Sequence, residues 1–346
     1  MQLSNKTPFA AVALPTYITR KRAILTVLVK GTFSIVPNER APRAEEQLPI
    51  FFGDEYHDPE KGGSVKFEAD TVPFKRRADI ILVGSAHAPL GRPVRALKVG
   101  LRVGPMIKTA YIFGDRHWQE IDTPNPILSA PEPFTVMPLR YENAFGGMDP
   151  DTGTWCQENP VGRGFLEKRS KQRLAALKLP NIENDRQLIQ SWDDRPAPVG
   201  FGFIGKNWQP RVAYLGTYDE QWQQNRCPDP PRDFNANFYN GAPQDQQLEG
   251  YLQGDEVVDL RNLAPTDRLR FYLPGVQPHV SLSTSNRFDI APGQTPTEAT
   301  EALPLHLDTL CMMPDQSQFY LVWRGFRYLQ DMTAREIDTV TITLAD

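Results

Sequence analysis

Residues 200–205 read GFGFIG, which puts three glycines at the spacing of a dinucleotide-binding loop. Such a loop must follow a buried strand and open a helix, so that the helix N-terminus can hold a pyrophosphate. Here Pro196 and Pro198 precede the glycines and exclude a central strand, and Pro210 would fall within the first turns of the required helix. The context therefore predicts a loop or a short edge strand, and no nucleotide site.

Two further sets of residues have side chains that bind metals elsewhere, but neither has the required spacing. No two of the five histidines stand at ligand spacing on one segment, so no zinc site is predicted. Residues 149–153 resemble the start of a calcium loop, yet Gly153 occupies the fifth position and Pro160 the twelfth, where oxygen ligands are needed. A β-turn is the better interpretation of this segment.

Catalytic signatures are also missing from the sequence. Gly84 and Ser85 do not form the G-x-S-x-G turn of a nucleophile elbow. A pair of catalytic carboxylates is neither shown nor excluded, because scattered Asp and Glu residues can be paired only in a fold. We therefore predict that the protein is not an enzyme and has no cofactor and no metal.

Composition limits the classes of partner. The chain has 346 residues, is 40% hydrophobic and carries a net charge of −4, which argues against nucleic acid or an anionic membrane surface as partner. No apolar run reaches the 18 or so residues of a membrane helix, and the N-terminus is a poor signal peptide. Three widely spaced cysteines fit a reducing compartment. We expect a cytoplasmic protein.

The two ends of the chain have the patterns of strands. Near the N-terminus, period-two alternation over residues 25–35 predicts a half-buried strand, residues 97–103 and 106–113 predict a hairpin, and the evenly apolar residues 79–86 predict a strand covered on both faces. Near the C-terminus, residues 269–273, 303–309 and 340–344 alternate, and a turn at 313–317 leads into a strand at 319–323, which makes a second hairpin. Strands that follow strands favour a sandwich or rolled sheet.

The middle of the chain, residues 129–250, is dense in Pro, Gly, Asn, Asp and aromatics. Its clearest helix is predicted near 165–177, and its many aromatics argue against disorder. We predict a mainly β protein with an N-terminal β half at 1–128, this loop-rich middle, and a C-terminal β half at 251–346. The two strand-rich, β-sandwich-like halves pack as one body, with one or two short helices.

Several strings in this order resemble one family. They are DTVPFK at 70–75, GDRHW at 114–118, MPLRYENAFGG at 137–147, NPVGRGF at 159–165, PAPVGFGFI at 196–204 and DFNANFYNGAPQDQQ at 233–247. Together they resemble the domain of unknown function family numbered 2169, over about residues 1–330. The resemblance implies an accessory protein of the bacterial type VI secretion system, an adaptor or chaperone that loads an effector onto a spike protein of the PAAR or VgrG type. The family has no established catalytic residues.

An adaptor of this kind needs a rigid scaffold that presents loops rich in aromatics, Arg and Asn to a protein partner, a type VI effector or a spike protein. The predicted partner-binding residues lie in the middle segment and are Arg140, Tyr141, Asn143, Phe145, Trp155, Arg163, Phe234, Phe238 and Tyr239. Arg and Asn side chains also join irregular loops by bonding to backbone carbonyls, so a role in the fold is an equal alternative for Arg140, Asn143, Asn159 and Arg163.

Two other functions remain open. A carbohydrate-binding β-sandwich would use exposed members of the 6 Trp and 11 Tyr as stacking platforms. An uncharacterised hydrolase would bring carboxylates or a histidine together in a deep cleft.

Overall fold

A computed structural model describes residues 1–60, 62–285, 297–330 and 332–344. Strands make up 41% of it and helices 10%, which confirms the prediction of a mainly β protein. No helix in this described part is long and apolar enough to cross a membrane.

The strands, in chain order, are β1 Gln2–Asn5, β2 Ala10–Thr19, β3 Arg22–Ser34, β4 Glu55–Asp58, β5 Gly62–Phe67, β6 Ala78–Leu82, β7 Ser85–His87, β8 Ala96–Val103, β9 Met106–Phe113, β10 Trp118–Gln119, β11 Ile127–Leu128, β12 Val136–Pro138, β13 Phe145–Gly146, β14 Arg163–Gly164, β15 Ile182–Glu183, β16 Gln247–Leu248, β17 Val257–Arg261, β18 Arg268–Tyr272, β19 Pro278–Ser285, β20 Glu298–Leu303, β21 His306–Met313, β22 Gln318–Tyr328 and β23 Ile337–Leu344. The α-helices are α1 Lys171–Ala176 and α2 Glu220–Asn225, and 3-10 turns occupy Pro89–Gly91, Tyr141–Asn143, Arg211–Leu215, Ala236–Tyr239, Gln244–Gln246 and Pro314–Gln316.

Strands from both ends of the chain lie side by side in shared sheets. In the described residues the largest sheet has the order β16-β6-β21-β22-β3-β2, and a five-stranded sheet has the order β15-β9-β8-β17-β18. A four-stranded sheet has the order β1-β23-β19-β20. The two strand-rich ends are therefore interleaved strand by strand and form one body.

The two predicted hairpins are present. β8 and β9 pair antiparallel through a turn at Gly104, whose φ of +52° suits the first position of a tight hairpin turn. β21 and β22 pair antiparallel across the 3-10 turn Pro314–Gln316, and Ser317 closes it in the left-handed region.

The strand predicted at 25–35 is present as part of β3, but the prediction that it is half-buried is wrong. β3 is buried on both faces because the six-stranded sheet has a core on each side. Val27 and Val29 face the large core shared with the other sheets, whereas Leu28 faces a second core that also contains Phe203 and Ala242 of the middle segment. The loop-rich middle thus covers one face of the sheet.

The alternation over residues 303–309 belongs to two strands rather than one. β20 ends at Leu303 in the four-stranded sheet, and β21 begins at His306 in the six-stranded sheet, after Pro304. The register shifts between Leu307 and Thr309, so Asp308 and Thr309 are both buried instead of alternating. A β-bulge of this kind turns an extra side chain inward.

The helix predicted near 165–177 is shorter than expected, since α1 covers only Lys171–Ala176. Residues just before it have other hydrogen-bond partners. The N–H groups of Glu167 and Lys168 donate to Asp149 Oδ2 at 3.1 and 3.2 Å, and that of Phe165 donates to a β-strand carbonyl. Asp149 itself begins the predicted turn and accepts from the Asp151 N–H at 2.9 Å. A local carboxylate therefore replaces the first helical turn.

Candidate functional site

Buried ion pairs hold the segment 70–75 against the six-stranded sheet. Lys30 Nζ donates to Asp70 Oδ2 at 2.8 Å, and both side chains are buried. Arg324 Nε donates to Asp308 Oδ2 at 2.6 Å, while its Nη1 donates to the backbone carbonyls of Asp70 and Val72 at 2.5 and 2.8 Å. Backbone groups that have no ladder partner thus acquire partners from β22.

A second set of contacts ties the segment 233–247 to the same sheet. Asp79, which is fully buried, accepts from Lys75 Nζ at 2.7 Å, from Asn240 Nδ2 at 2.9 Å and from the Gly241 N–H at 2.8 Å. Lys75 Nζ also donates to Thr309 Oγ1 at 2.9 Å. One carboxylate on β6 therefore fixes both segments.

The surroundings of these ion pairs are apolar enough to shift the pKa values of buried side chains. Burial lowers the pKa of Lys30, and the partner carboxylate of Asp70 offsets part of that effect. Burial raises the pKa of Cys311 to about 12 and raises that of Tyr320 well above its usual value, so both stay neutral. In such a setting an ion pair gains its Coulomb energy only if its geometry is fixed, and breaking it leaves a costly unpaired charge. The pairs therefore hold the two segments firmly in place.

The two segments, together with the end of β22, carry a continuous group of aromatic rings. We call this group the aromatic patch; its members are Phe74, Phe234, Phe238, Tyr239, Phe326 and Tyr328. Each ring contacts at least one other member, with centroids 5.1–6.3 Å apart. Tilted and edge-on contacts of this kind are favourable for aromatic pairs.

The aromatic patch reaches the surface. Tyr328 is 59% exposed and Phe326 is 38% exposed, and the other four rings are half-buried. Below them Arg211 lies over the Phe238 ring at 5.4 Å and makes a buried ion pair with Glu68. Exposed apolar groups that are contiguous, rather than scattered singly, mark protein-interaction surfaces. Rigid rings also cost little conformational entropy when a partner covers them.

Three of the residues predicted from the sequence, Phe234, Phe238 and Tyr239, are members of this patch. Phe74, Phe326 and Tyr328 were missed. Phe74 lies in the DTVPFK string, and Phe326 and Tyr328 stand two apart on β22, a spacing that puts both on one face of the strand. That spacing was the available signal, but the predicted strand ended at residue 323.

Two other predicted residues make contacts within the fold. Arg163 Nε donates to the Glu142 carbonyl at 2.8 Å, and its Nη groups donate to Asn181 Oδ1 at 3.0 Å and to Asn143 Oδ1 at 2.6 Å. Asn143 Nδ2 in turn donates to the Pro138 carbonyl at 2.9 Å. These side chains join three irregular segments. Burial lowers the pKa of Arg163, and the charges of nearby carboxylates offset part of this decrease.

Two aromatic residues of the predicted set are buried. Phe145 packs against Phe165 in a small core that belongs to the middle segment. Tyr141 stands edge-on to Trp208, with ring centroids 5.3 Å apart, and burial raises its pKa. Asn159, fully buried, donates to the carbonyls of Tyr141 and Phe145 at 2.8 and 2.9 Å.

The two remaining predicted residues are exposed. Trp155 is 54% exposed and lines a shallow depression with Met148 and Val212. Arg140 is exposed immediately before the 3-10 turn Tyr141–Asn143. Neither has a ring or ion-pair contact with the aromatic patch among the described residues, so the nine predicted residues do not form one site.

The GFGFIG string has no strand before it and no α-helix after it, as the sequence predicts. It is a loop whose glycines serve packing. A Cβ on Gly200 would lie 2.1 Å from Tyr141 Cζ, and one on Gly205 would lie 2.9 Å from the Trp208 ring. A Cβ on Gly202, by contrast, would meet nothing within 4 Å. Two of the three glycines thus admit aromatic rings at close range.

The histidines lie apart from one another in the structure. His87 Nε2 is 2.7 Å from Asp315 Oδ1, and His306 stacks on Tyr251 with centroids 4.4 Å apart. Burial, aided by the charge of Arg140, lowers the pKa of His57 to about 4. Among residues 1–60, 62–285, 297–330 and 332–344, no group of three or more His, Cys, Asp or Glu side chains is placed to hold a metal ion.

Comparison with known proteins gives one match. A family model described as "Uncharacterized protein conserved in bacteria (DUF2169)" matches residues 20–324. Searches of curated proteins and of solved structures found no match.

Proposed function

Since the chain belongs to the bacterial DUF2169 family, whose model matches most of its length, we propose that it is a non-enzymatic adaptor or chaperone of a type VI secretion system. It binds an effector, PAAR-like or associated with the spike, in the cytosol. It then assists the loading of that effector onto the secretion spike. We infer the identity of the partner from the resemblance to the family. The aromatic patch described above supports a role in binding a protein.

The observation that carries the proposal is the aromatic patch. Six rings from three segments meet at the surface, and Tyr328, at 59% exposed, is too exposed to serve mainly as core. Aromatic residues dominate the binding energy of protein interfaces when they cluster near the centre of the contact. A patch of this kind suits a partner that presents apolar surface before it is assembled, as a cargo held in solution does.

The way the aromatic patch is held supports the same role. Asp79 fixes the segments that carry Phe74 and Tyr239 from below, through Lys75 and Asn240. Because these segments are positioned before a partner arrives, little ordering entropy is lost on binding. An adaptor must also release its cargo, and a patch of half-buried rings offers moderate area without a deep enclosing cleft.

Co-expression with the effector encoded beside the gene tests the proposal. The expected result is that the effector co-purifies with this protein, is more soluble in its presence, and is secreted less when the gene is deleted. Equal solubility and equal secretion without this protein would contradict the adaptor function.

A matched pair of variants tests the placement of the interface. Phe326→Ala removes a ring of the aromatic patch, and Phe52→Ala removes a ring that is 68% exposed and contacts no patch member among the described residues. Both variants are expected to stay folded, whereas only Phe326→Ala weakens binding, by roughly 1–4 kcal/mol. If the two variants bind equally well, the interface lies elsewhere.

A further inference from the structure

A cavity of about 310 Å³ opens beside the GFGFIG loop. Its wall combines β9 with three of the strings that mark the family: the string at 137–147 supplies Tyr141, the string at 196–204 supplies Val199 and Ile204, and the string at 233–247 supplies Gln244 and Asp245. This volume lies at the lower end of the range for small-molecule sites. The cavity therefore has the size for one small ligand.

The inner wall of this cavity presents two hydrogen-bond donors with unused capacity. Lys108 is buried; its Nζ donates to the Gly200 carbonyl at 2.6 Å and to Asp245 Oδ1 at 2.9 Å, which leaves one N–H of the ammonium. Tyr141 is only 5% exposed, and no described residue hydrogen-bonds its hydroxyl. Gly200 admits this phenol, since a Cβ there would lie 2.4 Å from the hydroxyl oxygen. The hydroxyl oxygen is not among the fully buried side-chain atoms that lack a partner, so it borders the cavity and is open to a ligand.

The outer wall presents acceptors and amides. Glu158, Gln209 and Gln244 line it, and Asp245 is 58% exposed and keeps one carboxylate oxygen beyond its contact with Lys108. The ionised groups of the lining sum to one net negative charge, which disfavours an anion, while the buried ammonium of Lys108 disfavours a cation at the inner wall. A neutral ligand whose groups both donate and accept fits this lining.

The cavity also has apolar surface on its flanks, from Pro198, Pro210 and Pro243 as well as Val199 and Ile204. A saccharide ring combines the two required properties, because its hydroxyls each donate and accept while its C–H face is apolar. The acidic and amide side chains of the cavity can hydrogen-bond the sugar hydroxyls, and its apolar flanks can pack against the C–H face of the ring.

We propose that this cavity is a binding site for a neutral saccharide unit, with one sugar hydroxyl accepting from Tyr141 and Lys108 and others donating to Glu158 and Asp245. The same chemistry is presented by a free monosaccharide and by the terminal sugar of a glycan. The site is separate from the aromatic patch and does not depend on the adaptor function.

Ligand-observed saturation-transfer NMR on the full chain tests the proposal. The probes are D-glucose, D-galactose and N-acetylglucosamine, then disaccharides of any sugar that binds, with acetate and ethanolamine as charged controls. At least one neutral sugar is expected to bind saturably in the millimolar range. Tyr141→Phe, which removes one oxygen and keeps the packing against Trp208, is expected to weaken that binding about fivefold to tenfold.

Tyr17→Phe is the matched control, because Tyr17 is 67% exposed and lies outside the cavity. It is expected to bind as the wild type does. Glu158→Gln at the outer wall replaces a carboxylate that accepts from a sugar hydroxyl, and it is expected to weaken binding as Tyr141→Phe does. Tighter binding of a disaccharide than of its monosaccharide would identify a glycan end as the source. The proposal would be overturned if none of the three sugars gives a saturation-transfer signal or if acetate alone binds. It would also be overturned if Tyr141→Phe and Tyr17→Phe bind the sugar equally well.

Discussion

Replacing Asp79 by alanine removes the carboxylate that joins two loop segments to the six-stranded sheet. The change leaves the buried ammonium of Lys75 with Thr309 Oγ1 as its remaining described partner, and it leaves the Asn240 amide and the Gly241 N–H without the acceptor they share. Removing one member of a buried ion pair costs about 3–5 kcal/mol. The lost hydrogen bonds overlap with that figure, because residues in one network are not additive.

The expected loss can be converted into a melting temperature. At about 2.1 cal/mol/K of unfolding entropy per residue, a chain of 346 residues has about 0.7 kcal/mol/K, so the loss corresponds to a decrease of about 4–7 °C. The assay is thermal unfolding followed by tryptophan fluorescence, with urea unfolding as a second measure. The double variant Lys75→Met, Asp79→Leu removes both charges. It is expected to recover the part of the loss that comes from the unpaired charge, while the Gly241 N–H still lacks its acceptor.

Arg77→Ala is the matched control for Asp79→Ala. It breaks the nearby but exposed pair with Glu249, whose members are 37% and 79% exposed, so a change below about 1 kcal/mol is expected. If Asp79→Ala shifts the melting temperature no more than Arg77→Ala does, the buried network does not hold the segments and the argument for a rigid aromatic patch fails.

Three further predictions concern the glycine loop and pH. Gly200→Ala is expected to lower the free energy of unfolding by roughly 1–3 kcal/mol because its Cβ overlaps the Tyr141 ring. Gly202→Ala places its Cβ in open space and should leave thermal unfolding unchanged. Equal effects of the two variants would show that the loop packs differently. Calorimetry with NAD, NADP and ATP should give no binding at millimolar ligand, and a micromolar titration lost in Gly202→Asp would refute the exclusion of a nucleotide site. His57 has a pKa of about 4 in the folded chain, below its unfolded value, so the unfolded state takes up the proton first and stability falls as pH drops from about 6.5 towards 4. After allowance for partial solvation, the loss of unfolding free energy over this pH range is about 1–2 kcal/mol. His57→Gln should remove that part of the pH dependence of urea unfolding. An unchanged pH profile in this variant would contradict the prediction.

Local patterns in the sequence located strands well but not their surroundings. The alternation over residues 97–103 and the turn after it specify a hairpin, because period and turn chemistry are local properties. Lys30 and Asp308 stand at polar positions of alternating strands, yet both are buried. Their burial follows from a second core built by the distant middle segment and from a β-bulge, which short-range periodicity does not encode.

In the candidate site, too, some members follow from local sequence and others only from contacts between distant parts of the chain. Phe234, Phe238 and Tyr239 lie within one stretch of six residues, and the density of aromatics in that loop is what pointed to them. Phe74 and Phe326 join them because Lys75 donates to the hydroxyl of Thr309, 234 residues along the chain, and Arg324 donates to the backbone carbonyl of Asp70, 254 residues away. Pairings of this range are properties of the fold.

The central claim is that the protein binds a type VI effector through the aromatic patch. It is tested most directly by the affinity of the purified effector for the wild type, for the double variant Phe326→Ala, Tyr328→Ala and for Phe52→Ala, each with its melting temperature. We expect the double variant to stay folded and to bind at least tenfold more weakly, while Phe52→Ala binds like the wild type. Wild-type affinity in the folded double variant, or no binding by the wild type at all, would contradict the claim.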